Sequence, residues 1–186
     1  MEGSLRLTKE FSFEMAHALV GYDGACREIH GHSYRLFVTV EGTPCADSAH
    51  PKFGMAVDFG DLKRAVSEAV VSRYDHSFMI RRTAESEEVI EVLGRHFSKI
   101  YAVDWQPTCE NLVHHFADLI RPRLPEGIRL AAIKLHETAT SYILTHTHPM
   151  SEALGGNGDL IPYRGDHKGG GSESQLLPHF CALKLL

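Results

Sequence analysis

No stretch of this 186-residue sequence is long and apolar enough to suggest a membrane span. A spanning helix needs about 18 or more consecutive, predominantly apolar residues. The first ten residues, MEGSLRLTKE, also lack the apolar segment of a secretory signal peptide. We therefore predict a cytoplasmic protein with no membrane partner.

Basic clusters and cysteine pairs are equally scarce. The 19 Lys and Arg residues are outnumbered by 24 Asp and Glu and form no dense block, which argues against a nucleic-acid partner. The four cysteines (Cys26, Cys45, Cys109 and Cys181) form no CxxC pair and no disulfide-like framework. This usage is typical of a reducing compartment.

The hydrophobic pattern predicts an α+β domain over residues 1–150. Alternating apolar residues indicate strands near Leu5–Phe13 and His30–Gly42, and two more near 128–136 and 141–145. Helical periodicity follows Asp58 or Asp61 as far as about Tyr74, covers 85–97, and resumes after Thr108 as N-cap; a short strand is possible at 99–103. Residues 151–186 are rich in Gly and Ser, and we predict a flexible extension there.

Thirteen histidines make metal binding the first chemical question. His30 and His32 lie two apart at the start of a strand, so their side chains point to one face. His17 follows the first strand and approaches them if the two strands form a hairpin. Three imidazoles with an open fourth position are typical of a catalytic zinc site. His146 and His148 repeat the spacing next to a Gly-rich segment and form the competing pair.

Cys26 precedes this histidine pair and has two interpretations. Near a metal ion its thiol can lose a proton and then move protons on a substrate. Alternatively, Cys26 is the fourth ligand of a closed structural zinc site, or simply a small buried residue.

Several carboxylates lie at the ends of predicted elements. In Asp75-His76 the aspartate can orient and stabilise a charged imidazole, although a solvated histidine at a helix end is the plainer interpretation. Glu110 and Glu137 can each accept two hydrogen bonds from a cyclic amidine edge. Glu110 can also act only as a favourable charge in the first turn of a helix.

Taken together, the motifs resemble one known family. FEMAH, CREIHGHSY, GMAVDFGDLK, DH, PTCEN and HET occur in order between Leu5 and Tyr142. They look like the 6-pyruvoyl-tetrahydropterin and 6-carboxytetrahydropterin synthases. The three residues between Cys26 and the HGH motif resemble the bacterial queuosine-pathway branch. The segment from Arg81 to Asp104 is long for the family.

The resemblance implies a fold, an activity and a set of roles. The fold is the tunnelling fold, a four-stranded antiparallel sheet with two main helices on one face, assembled as a homohexamer with sites between subunits. The activity converts 7,8-dihydroneopterin triphosphate to 6-carboxy-5,6,7,8-tetrahydropterin, releasing acetaldehyde and triphosphate. A 6-pyruvoyl-tetrahydropterin synthase or related side-chain lyase is the alternative, and a non-catalytic zinc-binding protein is a third.

The same resemblance implies which residues act. Zinc ligands match His17, His30 and His32, and the catalytic cysteine matches Cys26. The acid/base pair supplied across a subunit interface matches Asp75 and His76. The pterin anchor matches Glu137, with Thr108 and Glu110 near the same pocket.

Overall fold

A computed structural model describes residues 3–146 of the chain. Its framework is a long antiparallel hairpin of strands β1 (Leu5–Ala18) and β2 (His30–Gly42), paired from Leu5 with Gly42 to His17 with His30. Alternate residues of each strand face the core because side chains on a strand point to opposite faces in turn. Phe13 and Tyr34, which are partners in this register, stack at a ring separation of 5.3 Å inside the core.

Four further strands extend this hairpin into a mixed six-stranded sheet. Antiparallel β5 (Arg129–His136) and β6 (Tyr142–His146) extend it from β2, and parallel β3 (Ser77–Arg81) and β4 (Ile100–Val103) extend it from β1. The strand order is β4-β3-β1-β2-β5-β6. The prediction of a four-stranded antiparallel sheet is therefore wrong as stated: that arrangement forms only the β1-β2-β5-β6 part.

Strand β3 was missed because it carries no alternation. Its first four residues are all buried, so Ser-Phe-Met-Ile reads as a short apolar run with no preferred face. Parallel strands covered on both faces characteristically look this way. The crossover between β3 and β4 contains a helix, Glu87–His96. The long segment from Arg81 to Asp104 therefore belongs to a βαβ unit.

The helices occupy both faces of the sheet. α1 (Phe59–Val66) begins at Asp58, which accepts a hydrogen bond from Gly60, and continues through a π-helical turn into α2 (Ser72–Tyr74). With α4 (Cys109–Ile120) it covers the main core, where Phe116 meets Phe13 edge-on at 5.8 Å. The helix of the crossover, α3 (Glu87–His96), packs instead on a separate cluster of side chains. This cluster consists of Ala18, Phe78, Ile80, Ile90, Ile100 and Ala102. The arrangement that the family resemblance implied, two main helices on one face, therefore lacks a third helix on the other face. The helical periodicity over 85–97 had predicted that helix, and the structure confirms it.

Two further predictions concern the C-terminal extension and membrane spans. The domain boundary near 150 and the extension over 151–186 lie outside the described residues. Within residues 3–146, none of the helices combines the length and apolar character that crossing a bilayer requires.

Candidate metal centre and active site

The hairpin register brings His17, His30 and His32 together. His17 pairs with His30 across the two strands, and His32 pairs with Met15 two residues further along the hairpin. The three ring centroids lie 4.5 to 5.1 Å apart. One ring nitrogen from each residue lies within 4.8 Å of the others, and among the described residues this is the one such cluster suited to a metal ion.

Main-chain carbonyls fix which nitrogen of two rings carries the proton. His17 Nδ1 lies 2.7 Å from the carbonyl oxygen of Pro107, and His30 Nδ1 lies 2.8 Å from that of Glu28. A carbonyl only accepts, so each Nδ1 must donate. In the neutral rings both Nε2 atoms are then acceptors.

These two Nε2 atoms lie 3.0 Å apart, an arrangement that two neutral acceptors do not favour. The third member, His32 Nε2, is buried and has no hydrogen-bond partner in the described chain. A cation among the three nitrogens would satisfy all of them. Zinc–nitrogen bonds of about 2.0–2.1 Å place tetrahedral ligands roughly 3.3 Å apart, close to the observed separation. The donor set therefore fits a metal ion.

Burial also prepares the rings for this role. His17 is 1% exposed, and burial lowers its pKa, although the Pro107 carbonyl opposes that effect. Burial likewise lowers the pKa of His32. Neutral imidazoles, the form that binds metals, are therefore favoured at neutral pH.

Glu137 lies beside the same centre, just after β5. Its Oε1 is 3.6 Å from His17 Nε2, 3.7 Å from His32 Nε2 and 3.5 Å from the Tyr34 hydroxyl, which donates to it. Tyr34 is fully buried, and burial raises the pKa of its phenol, so it remains a donor. The sequence-predicted pterin anchor therefore reaches the histidine cluster.

Cys26 lies in the 3₁₀ turn Ala25–Arg27, directly before β2. Its carbonyl accepts a hydrogen bond from the Leu19 N–H at 3.0 Å, which ties the turn to the end of β1. The thiol is half-buried and is not a member of the metal-binding cluster. This favours an open fourth position over a closed site with Cys26 as ligand.

Asp75 and His76 form a direct pair despite being adjacent. Asp75 Oδ1 lies 3.0 Å from His76 Nδ1, and His76 has a φ of 60°, a left-handed conformation uncommon outside glycine. The backbone N–H of Glu14 donates to Asp75 Oδ1 at 2.9 Å and is the main reason that the pKa of Asp75 is lowered. The His76 side chain is 76% exposed, so the expectation of a solvated ring and that of an oriented ring are both met.

The remaining pterin-site candidates lie around the start of α4. Thr108 is the N-cap, as predicted, accepting from the Asn111 N–H at 3.4 Å. Glu110 is exposed in the first helical turn. Cys109 between them is buried, and burial raises the pKa of its thiol to about 12, which supports its interpretation as a packing residue.

A cavity of about 660 Å³ opens between the hairpin and α3. His32 and His76 both line it, with Glu14, Ser33 and Lys99. The volume suits a small-molecule ligand. Thr108, Glu110 and Glu137 do not line this cavity. The competing metal residue His146 pairs with Ala132 at the sheet edge, and His148 lies outside the described residues.

Sequence reasoning missed the groups that orient the rings. The carbonyls of Pro107 and Glu28 carry no side-chain signal, because any residue supplies a carbonyl. No sequence pattern identified Tyr34 as a site residue, because its hydroxyl contact with Glu137 depends on the sheet register.

The fold and the site define an α+β protein with a largely buried three-histidine centre that fits a metal ion. The family model described as "6-pyruvoyl tetrahydropterin synthase" matches residues 6–147. The chain belongs to this family.

Several relatives carry one recurring name. A 6-carboxy-5,6,7,8-tetrahydropterin synthase of Haemophilus influenzae is 36% identical over 138 residues, which cover 74% of this chain and 95% of that protein. A protein of the same name from Aquifex aeolicus is 34% identical, covering 62% of this chain and 72% of the relative.

Solved structures agree on the fold. The 6-pyruvoyl tetrahydropterin synthase of Caenorhabditis elegans superposes with a TM-score of 0.56 at 20% identity, covering 78% of this chain and 97% of that chain. At this identity the likeness concerns architecture alone.

Proposed function

We propose that the protein is a zinc-dependent lyase that converts 7,8-dihydroneopterin triphosphate to 6-carboxy-5,6,7,8-tetrahydropterin. One observation carries the proposal: two imidazoles present unprotonated Nε2 atoms to each other at 3.0 Å, beside a buried third without a partner. The name shared by the relatives supports the choice of product, and the family resemblance of the motifs supports the choice of substrate. In this reaction triphosphate leaves, water is taken up, and carbon–carbon cleavage releases acetaldehyde.

His17, His30 and His32 would hold the zinc ion. When bound, the metal supplies Lewis acidity toward the side-chain oxygens of the substrate. The carbonyls of Pro107 and Glu28 keep two of the rings in the metal-binding tautomer.

Cys26 and His76 would move protons between the side-chain carbons and oxygens of the substrate. Asp75 would orient the His76 ring, as their 3.0 Å contact supports. Glu137 would accept hydrogen bonds from the amidine edge of the pterin, with Thr108 and Glu110 near that edge. None of these three residues lines the cavity of about 660 Å³, so the pterin ring would lie outside it. The position of Glu137, 3.6 Å from His17, would keep the pterin ring next to the metal.

A homohexamer with sites between subunits completes the proposal. On the side away from β2, β1 pairs with β3 only over Met15 to Ala18, leaving its first ten residues open among residues 3–146. β6 pairs with β5 alone within the same residues. Unpaired strand edges such as these can form hydrogen bonds with the strands of another subunit. Light scattering coupled to size-exclusion chromatography measures the state, and a monomer would contradict it.

Incubating the zinc-loaded protein with 7,8-dihydroneopterin triphosphate tests the reaction. Mass spectrometry should identify a 6-carboxypterin product together with acetaldehyde. A 6-pyruvoyl or 6-hydroxymethyl product would assign the chain to a sister lyase instead.

The variant Cys26→Ala separates enzyme from scaffold. A catalytic Cys26 predicts full zinc content and lost turnover. If the variant loses zinc and stability together, Cys26 is a structural ligand and the proposed role is wrong.

A further inference from the structure

The turn that carries His76 is held in an unfavourable backbone conformation. A left-handed residue other than glycine is strained by roughly 1–2 kcal/mol, and His76 has a φ of 60°. On one side the turn is fixed to β1, since the His76 N–H donates to the Glu14 carbonyl and the Glu14 N–H donates to the Asp75 carboxylate. Such strain persists only where the surroundings over-determine the conformation.

Lys99 fixes the turn from the other side. Its Nζ donates to the Asp75 carbonyl at 2.7 Å and to the Ser72 carbonyl at 3.2 Å. These oxygens lie at the end of α2, where a cation also complements the helix dipole. The backbone carbonyl of Lys99 accepts from the Phe78 N–H at 2.9 Å, two residues beyond His76.

Lys99 therefore contacts the chain on both sides of His76. Its side chain donates to the carbonyl of the preceding residue, and its main-chain carbonyl accepts from the strand that follows. Lys99 also lines the cavity that His76 lines. It comes from the β3-α3-β4 unit, which packs on its own side-chain cluster apart from the main core.

We propose that Lys99 is a positioning residue that holds the Asp75–His76 pair in its working geometry, so that the β3-α3-β4 unit controls the acid/base group. This rests on the proposed function, since it takes His76 as the proton-transferring group. The role is indirect: Lys99 acts through the backbone of Asp75 and needs no contact with substrate.

The variant Lys99→Met removes the ammonium group and keeps the length of the side chain. We expect kcat to fall by about 10- to 100-fold, the size of effect produced when a catalytic group is misplaced by a fraction of an ångström to one ångström. KM and zinc content should stay within about twofold of wild type, because the metal ligands lie on β1 and β2. Lys99→Arg, which keeps a cationic donor, should recover most of the lost rate.

Tyr101→Phe is the matched control. Its hydroxyl donates to the Arg73 carbonyl at 3.0 Å, at the same helix end but without touching Asp75. We expect this variant to keep wild-type kcat. A Lys99→Met protein with wild-type kcat, or one whose loss Tyr101→Phe reproduces, would overturn the proposal.

A second variant and a crystal structure test the proposal if Lys99→Met does not fold or the wild-type protein shows no turnover. If Lys99→Met does not fold, Lys99→Gln takes its place with the same expected kcat loss and the same contrary result. If the wild-type protein shows no turnover, the proposed function fails. The positioning role is then judged by the crystal structure of Lys99→Met, where a His76 φ still near 60° contradicts it and a relaxed φ supports it.

Discussion

Two histidine groups in this protein are held in place by opposite means. The cluster of His17, His30 and His32 lies at the end of a hairpin, where main-chain carbonyls fix the rings of His17 and His30 with their Nε2 atoms facing each other. His76 is exposed and is oriented by a strained turn and an adjacent carboxylate. In the first arrangement burial favours the neutral form of His17 and His32, whereas in the second an unusual backbone conformation orients an exposed ring.

This difference separates binding from turnover. Removing a ring from the buried cluster should destroy the metal centre, while changing the exposed ring should leave the metal in place. The predictions below test this separation, beginning with the largest effect.

Replacing His32 by Ala removes one of three metal-binding nitrogens. We expect zinc affinity to drop by more than about 100-fold, since even partners outside the ligand shell contribute 10- to 100-fold, and turnover to disappear with the metal. Zinc content by elemental analysis and competition with a chelator measure this. His114→Ala, at an exposed position of α4, is the control and should bind zinc normally. Full zinc content in His32→Ala would remove His32 from the ligand set.

The variant His76→Asn should separate the two groups most clearly. Asparagine tolerates the left-handed conformation, so stability and zinc content should match wild type. The rate should fall by about 10²- to 10⁴-fold, the usual contribution of a general acid or base. Steady-state kinetics beside a zinc measurement checks both halves. Loss of zinc without His76 would show that the two sites are one.

His115 offers a buried histidine for comparison with the cluster. It accepts from or donates to the Tyr74 hydroxyl at 2.6 Å, and burial lowers its pKa from 6.5 to about 4. The unfolded chain therefore takes up a proton near pH 6.5 and the folded chain only near pH 4. Its contribution to stability is fully present above pH 6.5 and is lost as the pH falls toward 4, by up to about 3 kcal/mol.

Urea unfolding of the wild type and of His115→Phe between pH 4 and 7 measures this contribution. The variant should be the less stable protein at pH 7, because the hydrogen bond between His115 and the Tyr74 hydroxyl is lost. The gap should narrow or reverse toward pH 4. Parallel pH curves for the two proteins would show that His115 does not titrate across folding.

The smallest expected effect concerns the loop that orients His17. Thr108→Ala removes the cap of α4 and should reduce stability by about 1 kcal/mol. Because Pro107 supplies the carbonyl beside it, zinc affinity should weaken by less than tenfold. Thermal melts and zinc titration measure both, and Thr108→Ser, which keeps a capping hydroxyl, should behave as wild type. An unchanged melting temperature in Thr108→Ala would mean that the cap contributes nothing.

The sequence was sufficient to predict that the three histidines lie together, because strand geometry is simple. Two histidines on either side of Gly31 must share a face, and a hairpin brings the end of β1 beside them. The antiparallel part of the sheet followed from alternation in the same way. The closeness of Glu137 was available only through the family resemblance.

Other features were beyond single-sequence reasoning because non-local contacts determine them. Strand β3 is buried on both faces, so its pattern could not be distinguished from a short apolar helix segment. The π-helical turn Ser67–Val71 interrupts a helix whose apolar periodicity continues through it. The positive φ of His76 occurs in a turn that is hydrogen-bonded to Glu14 and, through the Asp75 carbonyl, to Lys99; both residues are distant along the chain.

The parallel pairing of β1 with β3 has a kinetic consequence. Met15 lies beside Ser77, so the chain must bring together segments about sixty residues apart before this edge of the sheet exists. The hairpin of β1 and β2 needs only a short loop and can form first. We therefore expect a nascent chain to assemble the hairpin with the three-histidine cluster early and to form the Asp75–His76 turn among the last events of folding.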